Sequence, residues 1–129
     1  MVVDSSALLA ILLNEPDAHP IRTAFDHDEL RLLSAATLLE VSIVIEARKG
    51  ETGGRDLDLL ISKSKIEVVP VDEDQVAEAR RAWRRFGKGR HTGNLNYGDL
   101  FSYALSRTSG EALLYKGEDF SRTDVARVL

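Results

Sequence analysis

The sequence predicts an α/β domain with a mostly parallel sheet. Three observations carry that expectation. Short β-branched or leucine-rich runs alternate with longer amphipathic stretches along the chain. Polar caps stand where strands would hand over to helices: Ser5 and Ser6, then Ser34, then Asp72. Glycine or proline punctuates the helical stretches at Pro16, Gly50, Gly87 and Gly110.

The elements follow in order. Val2-Val3 reads as a first strand ending at Asp4, and an apolar helix follows until Asn14 and Pro16. A second helix is expected over 17–28, with Ile21 and Phe25 on one face. Arg31-Leu32-Leu33 reads as the second strand. A long helix over 35–49 follows, with Leu39, Ile43 and Ala47 as its apolar row. Gly53-Gly54 marks a break, and 56–65 reads as another helix with Leu57, Leu60 and Ile61 inward. Residues 66–71 form the clearest strand, and Pro70 puts that point at its end or at a sheet edge. A helix from Asp72 to about Phe86, a polar loop over 87–96, a helix over 97–107 and a buried strand over 112–115 complete the order. The tail after Gly117 is expected to form a turn and one helical turn.

A chain of 129 residues fits one domain over 1–129, long enough to bury a core without staples. The absence of cysteine excludes disulfides, thiolate zinc sites, iron–sulfur clusters and thiol nucleophiles. No apolar run approaches the ~20 residues of a membrane span. The start has no basic region and carries Asp4, unlike a secretory signal. A soluble cytoplasmic domain is the expectation.

Charge is unevenly spread. Net charge is −4, but residues 80–90 hold six of the seventeen basic residues and no acidic one. Arg80, Arg81, Arg84, Arg85, Lys88 and Arg90 form this stripe, with Trp83 and Phe86 among them. Such a stripe on an acidic body attracts a polyanion. The competing reading is a solvated helix face with its aromatics turned inward. Trp83 lies off the arginine rows and is the better core candidate.

In open parallel sheets, chemistry gathers beyond the carboxyl ends of the strands. Asp4 ends the first strand, Glu118 and Asp119 follow the last, and Glu40 and Asp99 sit early on their helices among apolar neighbours. Carboxylates in such settings are costly unless neutralised, and a hard divalent cation would gather them. Mg²⁺ or Mn²⁺ would make hydroxide available near neutral pH and polarise a phosphoryl oxygen. Other chemistries lack their signatures. Neither a GxxxxGK[ST] loop nor a GxGxxG is present. His19, His27 and His91 lack metal spacing, and surface or loop positions account for them. Ser5 and Ser6 have no GxSxG around them, and Ser6 suits a hydrogen bond to an acid or to bound water.

Several blocks together resemble one family. They are Val2-Val3-Asp4-Ser5-Ser6-Ala7 at the start, Glu40, the run from Asn96 through Tyr97-Gly98-Asp99 to Leu105, and Leu113 through Gly117-Glu118-Asp119-Phe120 followed by Thr123-Asp124. In this combination the chain resembles PIN-domain ribonucleases, and specifically the VapC toxins of VapBC toxin–antitoxin pairs. The resemblance covers nearly the whole chain. It implies a three-layer α/β/α sandwich and Mg²⁺- or Mn²⁺-dependent cleavage of RNA such as tRNA or rRNA. It further implies a homodimer and a VapB-like antitoxin whose tail enters the active-site groove. Asp4 and Asp99 match the family's metal-binding aspartates, and Glu40 matches its helix glutamate. Many members carry an acid where Gly117 stands. Asp119 and Glu118 are the nearby substitutes, and Asp119, before Phe120, is the match taken. The stripe residues and Ser6 complete the substrate side, with the antitoxin tail a rival occupant for the arginines. Two other readings stand beside the ribonuclease: a catalytically silent binding module, and a small metal-dependent phosphatase.

Overall fold

The computed structural model describes residues 1–90 and 93–129. Its elements are β1 (Val2–Val3), α1 (Ser5–Leu12), α2 (His19–His27), β2 (Leu32–Ser34), α3 (Ala35–Lys63), β3 (Glu67–Val69), α4 (Glu73–Phe86), α5 (Tyr97–Ser109) and β4 (Leu113–Leu114). The strands pair in parallel in the order β3-β2-β1-β4. Val2 stands opposite Leu32 on one side and Leu113 on the other.

Successive strand residues point to opposite faces, and this separates two cores. Val3, Leu33 and Leu114 join Leu8, Phe25, Val41, Ile45 and Leu57 under α1, α2 and α3. Val2, Leu32 and Leu113 join Ala82, Phe86, Leu95, Tyr103 and Phe120 under α4 and α5. The result is an α/β/α sandwich with a parallel sheet in its middle layer. Among the described residues, no helix is long and apolar enough to cross a membrane.

Several local expectations change. Asp4, one residue earlier than expected, caps α1 by accepting a hydrogen bond from the Ser6 N–H. The 17–28 helix is shorter, as α2 spans His19–His27. α3 turns at Gly50, whose φ of 61° lies in the left-handed region. Helix resumes directly after it, so Gly53-Gly54 lies within the second arm rather than at a break. There the arms pack closely: a Cβ on Gly53 would sit 2.7 Å from the Ile45 carbonyl oxygen. The row of Leu39, Ile43 and Ala47 faces outward, and Thr37, Val41 and Ile45 are buried in its place. β3 is an exposed edge strand that ends before Pro70, and the Asp72 cap of α4 stands as expected. The tail forms turns and then a parallel bridge from Arg127 to Leu113, with no helical turn.

Candidate active site

Parallel strands send their carboxyl ends to one pole, and the chain delivers its acids there. Asp4 follows β1 and is 2% exposed. Its Oδ2 accepts hydrogen bonds from the Ser6 backbone N–H at 3.0 Å and the Ser6 hydroxyl at 2.7 Å. The same hydroxyl oxygen accepts from the Lys116 N–H at 3.0 Å. Ser6 thereby ties the acid after β1 to the segment after β4. The Lys116 ammonium extends this connection to Glu15 and Asp17 beyond α1.

Asp99 is the third residue of α5 and is 8% exposed. It forms a capping box with Asn96: its N–H donates to Asn96 Oδ1 at 3.0 Å, and its Oδ2 accepts from the Asn96 N–H at 2.9 Å. Burial pushes its carboxyl up to about 7. The Asn96 N–H opposes that shift, while the charges of Asp4, Asp119 and Glu40 add to it. Glu40, in the second turn of α3, is also raised, first by burial and then by Asp4, against a hydrogen bond from Ser5. Asp119 is half-buried and accepts from Asn94 Nδ2 at 3.0 Å. Glu118 is exposed and is absent from the charges that perturb Asp99.

The fold thus brings Asp4, Glu40 and Asp119 within reach of the Asp99 carboxyl, and Asp4 within reach of Glu40. Gly117, at φ 96°, makes the turn that carries Asp119 back to the pole, a conformation suited to glycine and not to an acid. Mutual repulsion among buried carboxylates calls for a cation. Among the described residues, no three acids stand close enough, as their side chains lie, to hold one ion between them. The all-oxygen donor set still fits a hard divalent ion, which takes one or two carboxylates directly and completes its shell with water.

The stripe divides into two rows. Arg81 pairs with Glu78, and Arg85 lies 3.4 Å from Asp124 and over the Phe86 ring. Arg80, Arg84 and Arg90 instead line an apolar groove of about 690 Å³ between α4 and α5. Trp83 is not in the core. It is 43% exposed, lines this groove and carries the Arg90 guanidinium over its ring at 4.2 Å, while Phe86 is the buried aromatic. Lys88 is exposed in the loop after α4. His19 and His27 lie on the surface of α2, and His91 lies outside the described residues.

Sequence reasoning passed over three contributors. A Cβ on Gly98 would stand 2.6 Å from Glu40 Oε2, so that glycine admits the α3 carboxylate to the start of α5. Asn96 was detectable from its spacing to Asp99, a capping-box signature. Asn94 carried no local signal, because its partner lies 25 residues away.

A pole of acids beyond a parallel sheet in an α/β/α sandwich defines a class, and comparison with known proteins gives it a name. The family model described as the PIN domain matches residues 1–126, and the chain belongs to that family. Its relatives narrow the group to VapC ribonucleases. It is 56% identical to Ribonuclease VapC of Mycolicibacterium smegmatis, over 99% of each chain. It is 53% identical to Ribonuclease VapC30 of Mycobacterium tuberculosis, over 99% of this chain and 98% of that one. The fold is also that of the sarcin–ricin loop cleaving toxin VapC20 of M. tuberculosis, with a TM-score of 0.79 at 17% identity over 97% and 95% of the two chains. VapBC2 of Rickettsia felis, solved bound to a promoter DNA fragment, matches at a TM-score of 0.73 and 14% identity over 98% and 94%.

Proposed function

We propose that the chain, as one PIN unit over residues 1–129, is a toxin endoribonuclease that hydrolyses RNA phosphodiesters with Mg²⁺ or Mn²⁺. The observation that carries this reading is the convergence of four carboxylates at the strand ends, with Asp99 pushed up to about 7 by burial and by the other three. Asp4, Asp99 and Glu40 would hold the ion. When bound, it supplies water acidic enough to ionise near neutral pH and withdraws charge from the phosphoryl group. Ser6 fixes the Asp4 carboxylate, and Asn96 fixes that of Asp99. Asp119, with one oxygen engaged by Asn94, keeps the other to orient the attacking water. Arg80, Arg84 and Arg90 neutralise substrate phosphates, and Trp83 and Tyr97 offer faces to unstacked bases.

The substrate is a structured RNA of the tRNA or rRNA kind, and the site of action is the cytoplasm. A VapB-like antitoxin controls the activity, a reading supported by the VapC relatives and by the VapBC complex among the structural neighbours. The protein works as a homodimer. The test is incubation of purified, antitoxin-free protein with total RNA and with a small phosphate ester. Discrete RNA fragments formed with Mn²⁺, abolished by EDTA and by Asp4→Asn, are the expected result. Hydrolysis of the ester alone would favour a phosphatase, and binding without fragments a silent module.

A further inference from the structure

Lys116 meets α1 at both of its ends. Its backbone N–H donates to Ser6 Oγ at 3.0 Å, in the first turn of the helix. Its ammonium lies past the last turn, where it pairs with Glu15 and stands 2.8 Å from Asp17 Oδ1. The anchor is itself held. The Glu15 N–H donates to the Ala10 carbonyl at 3.0 Å, and the Glu15 carbonyl accepts from the Ala18 N–H at 3.0 Å. One side chain therefore bridges the start of α1 and the loop that follows it.

The backbone fastened in this way has little else to hold it. β4 ends at Leu114, whose carbonyl accepts from the Asp4 N–H at 2.9 Å. Among the described residues, the Lys116 N–H supplies the only backbone hydrogen bond over 115–117. Gly117 then turns away at φ 96°.

The other end of that hydrogen bond is Ser6, whose hydroxyl has a single proton to give. It gives it to Asp4 Oδ2 at 2.7 Å, while its oxygen faces the Lys116 N–H. Asp4 Oδ2 also accepts from the Ser6 N–H, so two donors engage this oxygen. Oδ1 accepts from none among the described residues and is left for a cation. An ion pair as exposed as that of Lys116 contributes little stability. Hydrogen bonds behind a metal ligand, in contrast, are worth roughly 10- to 100-fold in metal affinity, because they set the ligand's orientation.

We propose that Lys116 is a positioning residue for the acid pole. Its ammonium, held by Glu15 and Asp17, fixes the backbone N–H that aims the Ser6 hydroxyl at Asp4. The proposal rests on the reading of the pole as a cation-dependent centre and extends that centre to three charged residues that touch neither metal nor substrate.

Lys116→Met keeps the stem of the side chain and removes its charge. Calorimetry should show its Kd for Mn²⁺ raised about tenfold, with the melting temperature in EDTA little changed. At saturating Mn²⁺ its KM for RNA should match that of wild type. By charge alone the effect would have the opposite sign, since removing a cation from an acidic region favours a divalent ion. Lys116→Arg preserves the ion pairs and should bind Mn²⁺ as wild type does. Glu15→Gln/Asp17→Asn leaves the lysine and removes what holds it, so it should weaken Mn²⁺ binding as Lys116→Met does. In a Ser6→Ala background, Lys116→Met should cost nothing further, because the path through the hydroxyl is already cut. A Lys116→Met protein that binds Mn²⁺ as tightly as wild type, or more tightly, would overturn the proposal. If Lys116→Met does not fold, the Glu15→Gln/Asp17→Asn protein decides, and an unchanged Kd there would overturn it equally. A folded wild type that binds no Mn²⁺ would remove the cation-dependent reading itself, and the proposal with it.

Discussion

Asp99→Asn separates two consequences of the acid pole that ordinarily run together. In the folded chain the Asp99 carboxyl is pushed up to about 7 from an ordinary 3.8, first by burial and then by three neighbouring charges. The folded state thus binds this proton more tightly than the unfolded state does. Without divalent ions, stability falls as pH rises from about 4 to about 7. The full shift corresponds to about 4 kcal/mol, and solvent screening at the site's mouth reduces this to roughly 2 kcal/mol. Asparagine keeps the shape and the acceptor for the Asn96 N–H but carries no charge. In EDTA at pH 8 the variant should therefore melt above wild type, by roughly 8 °C for a chain of this size. At pH 4 the two should nearly coincide, and the variant should cleave no RNA at either pH. Thermal melts followed by circular dichroism supply the measurement. A variant melting at or below wild type at pH 8 would refute the reasoning, because no repulsion would then have been relieved.

Other expectations follow from the same geometry. Gly98→Ala should displace the Glu40 carboxylate that lies 2.6 Å from the new Cβ, lowering cleavage about tenfold, read from initial rates, with little change in melting temperature. Mn²⁺ at a hundred times its Kd should stabilise wild type by about 2.7 kcal/mol, and calorimetry should show that gain largely lost in Asp4→Asn. In fluorescence titrations with the cleavage-dead Asp99→Asn protein, adding Arg84→Gln should weaken RNA binding. It should also flatten the log–log salt dependence by about 0.7 if Arg84 contacts one phosphate. Ser6→Ala removes the hydroxyl shared by Asp4 and the Lys116 N–H, so it should weaken Mn²⁺ binding in calorimetry more than it lowers the melting temperature.

How much of this was legible in the sequence depended on the range of the interactions. Caps such as Ser34 and Asp72 read correctly because their hydrogen bonds are local. The parallel sheet between helices also followed, from strand-like and helical runs that alternate along the chain. The errors came where tertiary context decides. Leu39 and Ile43 keep helical spacing, but Val41 and Ile45 occupy the buried face, and periodicity alone does not tell which of two apolar stripes turns inward. Gly53 and Gly54 read as a break because glycine usually ends helices. Here a close approach between helix arms requires Gly53, and that approach is invisible without coordinates. The offset of Trp83 from the arginine rows makes it the better core candidate in the sequence, whereas in the fold Ala82 and Phe86 supply the buried face of α4.

The acid pole is proposed to be a cation-dependent hydrolytic centre. Its most direct test is RNA cleavage by wild type and Asp99→Asn across one Mn²⁺ titration, with the folded state of each verified by its melt. Wild-type rates should rise with Mn²⁺, saturate and vanish on addition of EDTA, while the variant stays at background throughout. A variant that reaches the wild-type rate at any Mn²⁺ concentration, or a wild type that cleaves undiminished in EDTA, would contradict the account.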